Sequence, residues 1–381
     1  MKKRVLVLGA GFGGLELSTM LSEALGDDIE VTLIDQGDVF YFGFSKLDVM
    51  FGRTTRDEVL LPYKKFLKPG VRFLQETILS IDPVAKRVMT NRGAHEADFL
   101  VVALGADYDF AATPGLEGAN EFYSLAGADR LREILPTFSR GRAIIGVCGA
   151  PYKCPPAPSE CALMLHDFLT SAGIRARCEI TIVLPLSSPV PPSPETSRAL
   201  IAAFAEREIS FMPNRKVSAV NPGRRVASLD DGSELAYDLF LGVPKQGAPK
   251  VVEASAMTEG GWVPVNPRTL ETKFPNVYAI GDIANTGTPK AGVFAEGAAK
   301  AVASSLIARI RGEGQGKLYG GAGTCYIEFG AGQIGRVDVD FFSGPTPTGK
   351  YHEPSAALRE DKELFGASRR ARWFGLGSHR K

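Results

Sequence analysis

The chain has no run that approaches the roughly 18–20 uninterrupted apolar residues of a membrane-spanning helix. Its 5 cysteines and 4 histidines contain no C-x-x-C and no paired Cys/His spacing, which argues against zinc or any other metal. Charge of one sign is also missing. The net value is +1, too small for a whole-protein field that would gather nucleic acid. There is no tandem repeat and no low-complexity tract, so a solenoid is not expected. Met1-Lys2-Lys3-Arg4 is charged like the start of a leader peptide, but Val5 to Gly14 is punctuated by glycine and reads as fold sequence. The expected setting is therefore cytoplasmic and reducing, where cysteines are free or catalytic rather than structural staples.

What is present is ordinary globular material, 44% hydrophobic and 23% charged, enough for real cores. Lys3 to Leu8 reads as a buried parallel strand, with an amphipathic helix from about Phe12 to Leu25 and a second buried strand, Glu30 to Ile34, ending at Asp35. Phe99 to Leu104 is a further apolar strand. Ala143 to Val147 opens a second βαβ pattern, continued by a helix from about Ser159 to Ala172 and a strand at Glu179 to Leu184. Late in the chain come a strand at Val277 to Ile280, a helix from about Gly292 to Ile310, a glycine-rich linker at 312–323, strands near Cys325–Phe329 and Arg336–Phe342, and a short tail helix. The fold class is α/β, with two Rossmann-like dinucleotide-binding domains and a small C-terminal α+β segment. The expected boundaries are 1–110 with 245–312 for the first domain, 111–244 for the second and 313–381 for the last segment.

Gly9-Ala10-Gly11-Phe12-Gly13-Gly14 is a G-x-G-x-x-G between a strand and a helix. In this pattern Gly9 makes the tight turn, Gly11 admits a pyrophosphate to the backbone and Gly14 lets the helix pack on the strand. The pyrophosphate would sit at the positive helix end, and Asp35 is placed to accept from a ribose hydroxyl. Ile280-Gly281-Asp282, then Pro289-Lys290-Ala291-Gly292 before a helix, resembles the C-terminal FAD motif of flavoproteins with two dinucleotide domains. Val101-Val102-Ala103-Leu104-Gly105 resembles their middle motif. Together these imply FAD rather than NAD in the first site, with Gly9, Gly11, Phe12, Gly13, Gly14, Asp35, Ala103, Gly105, Gly281, Asp282, Lys290, Ala291 and Gly292 around it.

The second βαβ unit lacks the fingerprint. Gly146-Val147-Cys148-Gly149-Ala150-Pro151-Tyr152-Lys153-Cys154-Pro155-Pro156 has prolines where a phosphate would need N–H donors. It reads either as a degenerate nucleotide loop or as one rebuilt around Cys154. Cys154-Pro155-Pro156-Ala157-Pro158-Ser159-Glu160 and Thr324-Cys325-Tyr326 resemble segments of the sulfide:quinone oxidoreductases and of the flavoprotein subunit of flavocytochrome c sulfide dehydrogenase, where they carry the two halves of a redox disulfide. Gly261-Trp262-Val263-Pro264-Val265 is also familiar in that group, and the resemblance spans nearly the whole chain.

The resemblance implies an FAD-dependent enzyme that oxidises sulfide or a related small sulfur species through Cys154 and Cys325, with Glu160 as proton acceptor and a quinone as electron acceptor. Hydrosulfide would open the disulfide into a persulfide and a thiolate, from which two electrons reach the flavin. A working thiol needs a lowered pKa, and the helix beginning near Ser159 is expected to supply it to Cys154. Cys148, Cys161 and Cys178 read as packing residues. Two departures bear on the details. Leu104 to Ile144 holds no third cysteine on which a sulfur chain could grow, and Tyr41-Phe42-Gly43-Phe44-Ser45 holds no cysteine to tether the flavin, so FAD is expected to be non-covalent.

The alternatives are a type II NADH:quinone or other pyridine-nucleotide-linked flavin reductase, a flavocytochrome-like dehydrogenase with a cytochrome acceptor, and a non-catalytic flavin or sulfur carrier. The tail, with Leu364, Phe365, Trp373, Phe374 and Leu376 among Arg369, Arg370 and Arg372 and with Arg380 and Lys381 beyond, is expected to lie in a membrane interface at the cytoplasmic face, the alternative being a short helix that packs back on the body with Trp373 as its anchor. Oligomeric state is left open.

Overall fold

The computed structural model describes residues 2–377, so Arg380 and Lys381 of the expected basic tail lie outside the described residues. Lys3–Leu8 is buried at its apolar end and sits at the centre of a five-stranded sheet whose order is Val277–Ala279, Phe99–Val102, Lys3–Leu8, Ile29–Asp35 and Val71–Gln75. All neighbours pair in parallel. Continuous Val/Ile/Leu runs suit strands covered on both faces, and the helices Phe12–Leu25 and Gly292–Arg311 cover one of them. The edge strand Val277–Ala279 comes from far along the chain, so this unit is built from two separate stretches.

A second parallel sheet has the order Ile209–Pro213, Cys178–Leu184, Gly141–Val147 and Leu239–Val243. Each unit also carries a three-stranded antiparallel meander, Ile78–Asp82, Arg87–Thr90 and Gly93–Glu96 in one, Val217–Asn221, Val226–Leu229 and Glu234–Ala236 in the other. That repetition extends the second βαβ pattern of the sequence to the meanders. Where the chain leaves and re-enters the first unit, Asp107–Asp109 and Lys245–Gly247 pair as an antiparallel ribbon.

The C-terminal segment is fuller than expected. Ala322–Gly330, Gln333–Asp340 and Thr348–Ser355 form an antiparallel sheet, and the tail helix runs 18 residues, Ala357–Phe374. Of the two placements expected for its apolar residues, the far end of the helix is packed on the first domain. Trp373 is 1% exposed and Phe374 is buried. The Trp373 indole meets Phe12 and Phe40 edge-on at centroid separations of 5.4 and 5.6 Å, and its Nε1 donates to Glu16 Oε2 at 2.8 Å. Arg372 donates to both Glu16 and Glu23, and Arg369 pairs with Glu296. An amphipathic pattern states that one face is apolar, not what covers it; here the first domain covers it. Leu364 is 64% exposed and stays outside that packing.

Candidate functional site

The fingerprint glycines hold the beginning of the first helix against the sheet. Gly9 has φ +99°, and a Cβ there would lie 2.4 Å from the Ala103 carbonyl oxygen. A Cβ on Gly14 would lie 1.9 Å from the Gly9 carbonyl oxygen, whereas one on Gly11 would meet no protein atom. Gly11 is thus glycine for something other than packing, which suits the close approach of a phosphate group to its backbone. Asp35 closes the second strand, and its two carboxylate oxygens accept from Ala10 N and Gly37 N, each at 2.8 Å.

A cavity of about 1310 Å³ begins at this turn and runs to the C-terminal sheet. Its wall includes Gly9, Gly11, Phe12, Gly13, Asp35, Ala103, Gly105, Gly281, Asp282, Lys290, Ala291 and Gly292, together with Cys154, Glu160 and Cys325. Of the residues expected around the cofactor, Gly14 alone stands behind the wall, where it seats the helix. The dimensions and chemistry suit a dinucleotide: glycine backbone at the phosphate end, a carboxylate at the strand end, and the start of the helix Gly292–Arg311 at the other.

Lys290 donates to the Asp282 carbonyl at 2.6 Å, and its ammonium lies 3.5 Å from the centroid of the Trp262 ring. Burial lowers its pKa to about 8, against the opposing pull of Asp282. Burial raises Asp282 from the ordinary carboxylate value, partly offset by Lys153, Lys290 and Lys46.

Cys154 and Cys325 come from different elements, the loop before the helix Ala157–Ser171 and the strand Ala322–Gly330. Both are half-buried and face the same cavity. Cys154 adopts φ +51°, the left-handed region that non-glycine residues avoid and that recurs at functional positions. Its N–H donates to the Lys290 carbonyl at 2.7 Å, so the cysteine loop is tied to the segment that precedes the helix Gly292–Arg311. Cys148, Cys161 and Cys178 are buried in hydrophobic clusters.

The expected lowering of the Cys154 thiol by its helix is not found. Burial pushes its pKa upward, and Glu160 and Cys325 add to the rise, while Lys46 opposes it. The helix begins at Ala157, two residues early, because Pro158 suits a first helical turn. That start also consumes donors. The Ala157 N–H bonds the Cys154 carbonyl, Pro158 has no N–H, and the Glu160 N–H bonds the Pro156 carbonyl. Little of the helix end is left to stabilise a thiolate.

Glu160 is 5% exposed and accepts from Glu328 N at 3.0 Å. Burial raises its pKa to about 7, with Glu328 and Asp48 adding to the rise and Lys362 opposing it. It is a buried carboxyl in the first turn of the helix whose titration lies close to neutral. Lys362 of the tail helix donates to Glu328 Oε1 at 2.5 Å and also lines the cavity. Lys46, Lys153 and Lys362 were not singled out from the sequence. Lys153 stands beside Cys154, and Lys46 directly follows the segment read only for its missing cysteine; Lys362 carries no local signal.

A profile of the family described as pyridine nucleotide-disulphide oxidoreductase matches residues 3–302. The chain belongs to this family. Membership implies a flavin cofactor, which the glycine turn and the cavity described above suit. Among relatives, the mitochondrial sulfide:quinone oxidoreductase of Mus musculus is 25% identical over 369 residues, covering 90% of this chain and 79% of that protein. The sulfide-quinone reductase of Aquifex aeolicus is 28% identical over 360 residues, covering 87% and 82%. The crystal structure of the sulfide:quinone oxidoreductase from Aquifex aeolicus superposes with a TM-score of 0.84 at 24% identity, covering 97% of this chain and 91% of that one. The α/β fold with two Rossmann-like units is therefore that of the family.

Proposed function

We propose that the chain is an FAD-dependent sulfide:quinone oxidoreductase in which Cys154 and Cys325 form the redox pair. The observation that carries the reading is convergence: two cysteines remote in sequence face one cavity that begins at the dinucleotide turn, beside a buried carboxyl that titrates near neutrality. Two relatives that cover most of their length with this chain carry the corresponding activity in their names.

Hydrosulfide adds to one sulfur of the Cys154–Cys325 disulfide. The S–S bond breaks, one cysteine becomes a persulfide and the other leaves as a thiolate. Glu160 takes the proton that the sulfur species gives up. Transfer of the outer persulfide sulfur to a second sulfur nucleophile would leave two thiolates, whose return to the disulfide needs the two-electron acceptor that a bound flavin would supply. Non-covalent FAD is supported by the cavity wall, which among the described residues holds no cysteine other than Cys154 and Cys325. The cofactor-binding residues in this reading are the thirteen expected from sequence, with Gly14 acting through the helix.

The second unit offers little to NADH. Its loop is tied down by Lys153 N donating to Gln246 Oε1 at 2.9 Å and Lys153 Nζ donating to the Ala106 carbonyl at 2.9 Å. The ribbon formed by 107–109 and 245–247 supports a division into 1–110 with 245–312, 111–244 and 313–381. A quinone acceptor is favoured by the aromatic end of the cavity, where Phe365 lies 6.2 Å from Phe44 and 6.3 Å from Tyr326. Flat rings of this kind suit a flat apolar head group. No helix among the described residues is long and apolar enough to cross a membrane. A peripheral contact would use Leu364, exposed on the same helix beside Phe365, while the end of the helix that carries Trp373 stays docked. Steady-state assays test the acceptor: sulfide-dependent reduction of a short-chain quinone should exceed reduction of a soluble cytochrome, and the reverse order would favour the flavocytochrome-like reading.

A further inference from the structure

At the dinucleotide end of the cavity, three adjacent parallel strands finish side by side. The glycine turn follows Lys3–Leu8, Asp35 closes Ile29–Asp35, and Glu76 follows Val71–Gln75. Neighbouring strands lie about 4.8 Å apart, so each step moves one spacing away from the glycine turn. The Glu76 N–H donates to the Asp35 carbonyl at 2.9 Å, which sets these two residues next to each other along the edge. Gly9, Gly11, Asp35 and Glu76 all line the cavity. The Glu76 side chain is buried, and the antiparallel meander that follows it holds it in place. Thr90 Oγ1 donates to its Oε2 at 2.6 Å, and His95 Nε2 lies 2.7 Å from the same oxygen. Both contacts fall on Oε2, and Oε1 takes neither. Thr90 has a second acceptor in the Gly93 carbonyl at 3.1 Å, so satisfying that hydroxyl does not require a carboxylate.

We propose that Glu76 reads the base of the dinucleotide, its carboxylate accepting from the 6-amino group of adenine. This rests on the reading of the cofactor as FAD. With the pyrophosphate at Gly11 and a ribose hydroxyl at Asp35, the next group along the strand ends is the base, and the next side chain is Glu76. Val39 and Ile78, close in sequence to Asp35 and Glu76, also line the cavity and offer apolar surface to the faces of a ring. An ionised carboxylate accepts and cannot donate, and adenine presents a donor at the position where hypoxanthine carries a carbonyl acceptor. Burial works to raise the Glu76 pKa, but the bonds from Thr90 and His95 outweigh it and hold the group below its ordinary value, so it is an acceptor at neutral pH.

Flavin exchange tests this without catalysis. The full-length holoprotein is equilibrated with an equimolar mixture of FAD, FMN and the dinucleotide in which hypoxanthine replaces adenine. Unbound flavin is removed, and the bound flavins are released by heat and separated by chromatography. The wild type should retain FAD over the hypoxanthine form by about tenfold or more, because a carbonyl in place of the amino group sets two acceptors against each other. In Glu76→Gln the amide oxygen can still accept from Thr90 and His95 while the amide nitrogen meets the base, so the preference should fall to about one or invert. Should Glu76→Gln not fold, Glu76→Ala, which keeps no polar group, should bring the ratio to about one. A ratio that the variant leaves at the wild-type value would overturn the proposal. FAD retained over FMN by a wild type that does not discriminate between the two bases would sink the proposal alone, whereas FMN retained as well as FAD would remove the cofactor reading and the proposal with it.

Discussion

At the scale of single residues, the decisive quantity is the protonation of Glu160. Burial raises its pKa to about 7, and a base works only when ionised. Below pH 7 the carboxyl is protonated, so the rate of flavin reduction by sulfide should fall about tenfold per pH unit on that side and level off above it. Glu160→Gln should lower the plateau by about 10²–10⁴ and abolish the limb assigned to this group. Because the Lys362 ammonium favours the ionised form, Lys362→Met should push the limb to higher pH. Stopped-flow reduction across pH 5.5–9 is the measurement, and a limb that stays put in both variants would remove Glu160 from the mechanism.

At the scale of elements, the tail helix both closes the structure and reaches the site. It brings Lys362 and Phe365 to the cavity and buries Trp373 against the first domain. Trp373→Ala should cost about 3–5 kcal/mol from the cavity it leaves, and it also takes a donor from Glu16, a buried carboxylate. A large drop in Tm with bound flavin still reporting the native fold is the expected outcome, and a Tm unchanged within error would mean the helix docks only weakly. Ending the chain at Asp361 should be worse, because Glu16 then loses Arg372 as well. The helix was readable from sequence as amphipathic, with a membrane interface and packing on the body both open. Its apolar face could equally cover lipid or protein, and the deciding partner, Glu16, lies on the first helix, hundreds of residues away.

At the scale of the whole molecule, the parts that a short window can encode were legible: the parallel strands, the glycine turn, and the duplicated βαβ plan. Gly9, Gly11 and Gly14 announce their roles because spacing alone fixes where each backbone goes. Cys154 and Cys325 were legible through resemblance, not through spacing, since nothing local joins them. Lys46 and Lys362 were invisible, because a lysine becomes chemistry only when separate elements close around it. The same lesson explains the wrong expectation for the Cys154 helix, whose end seemed free until Pro158 and the capping bonds were in place. FAD, rather than FMN, should appear in the supernatant when the protein is heated, since the cavity runs the full way from the glycine turn to the cysteines. Chromatography of the released flavin decides it, and FMN, or a flavin retained in the precipitate, would contradict the cofactor reading.

The central claim is that electrons enter from a sulfur species through Cys154 and Cys325 and not from a nicotinamide. Anaerobic titration of the yellow protein, followed by flavin absorbance, tests it most directly. Sulfide should bleach the flavin stoichiometrically, NADH and NADPH should do so slowly or not at all, and Cys154→Ser or Cys325→Ser should keep the flavin bound while slowing bleaching by sulfide by orders of magnitude. Rapid stoichiometric bleaching by NADH, or near wild-type bleaching by sulfide in both serine variants, would contradict the account.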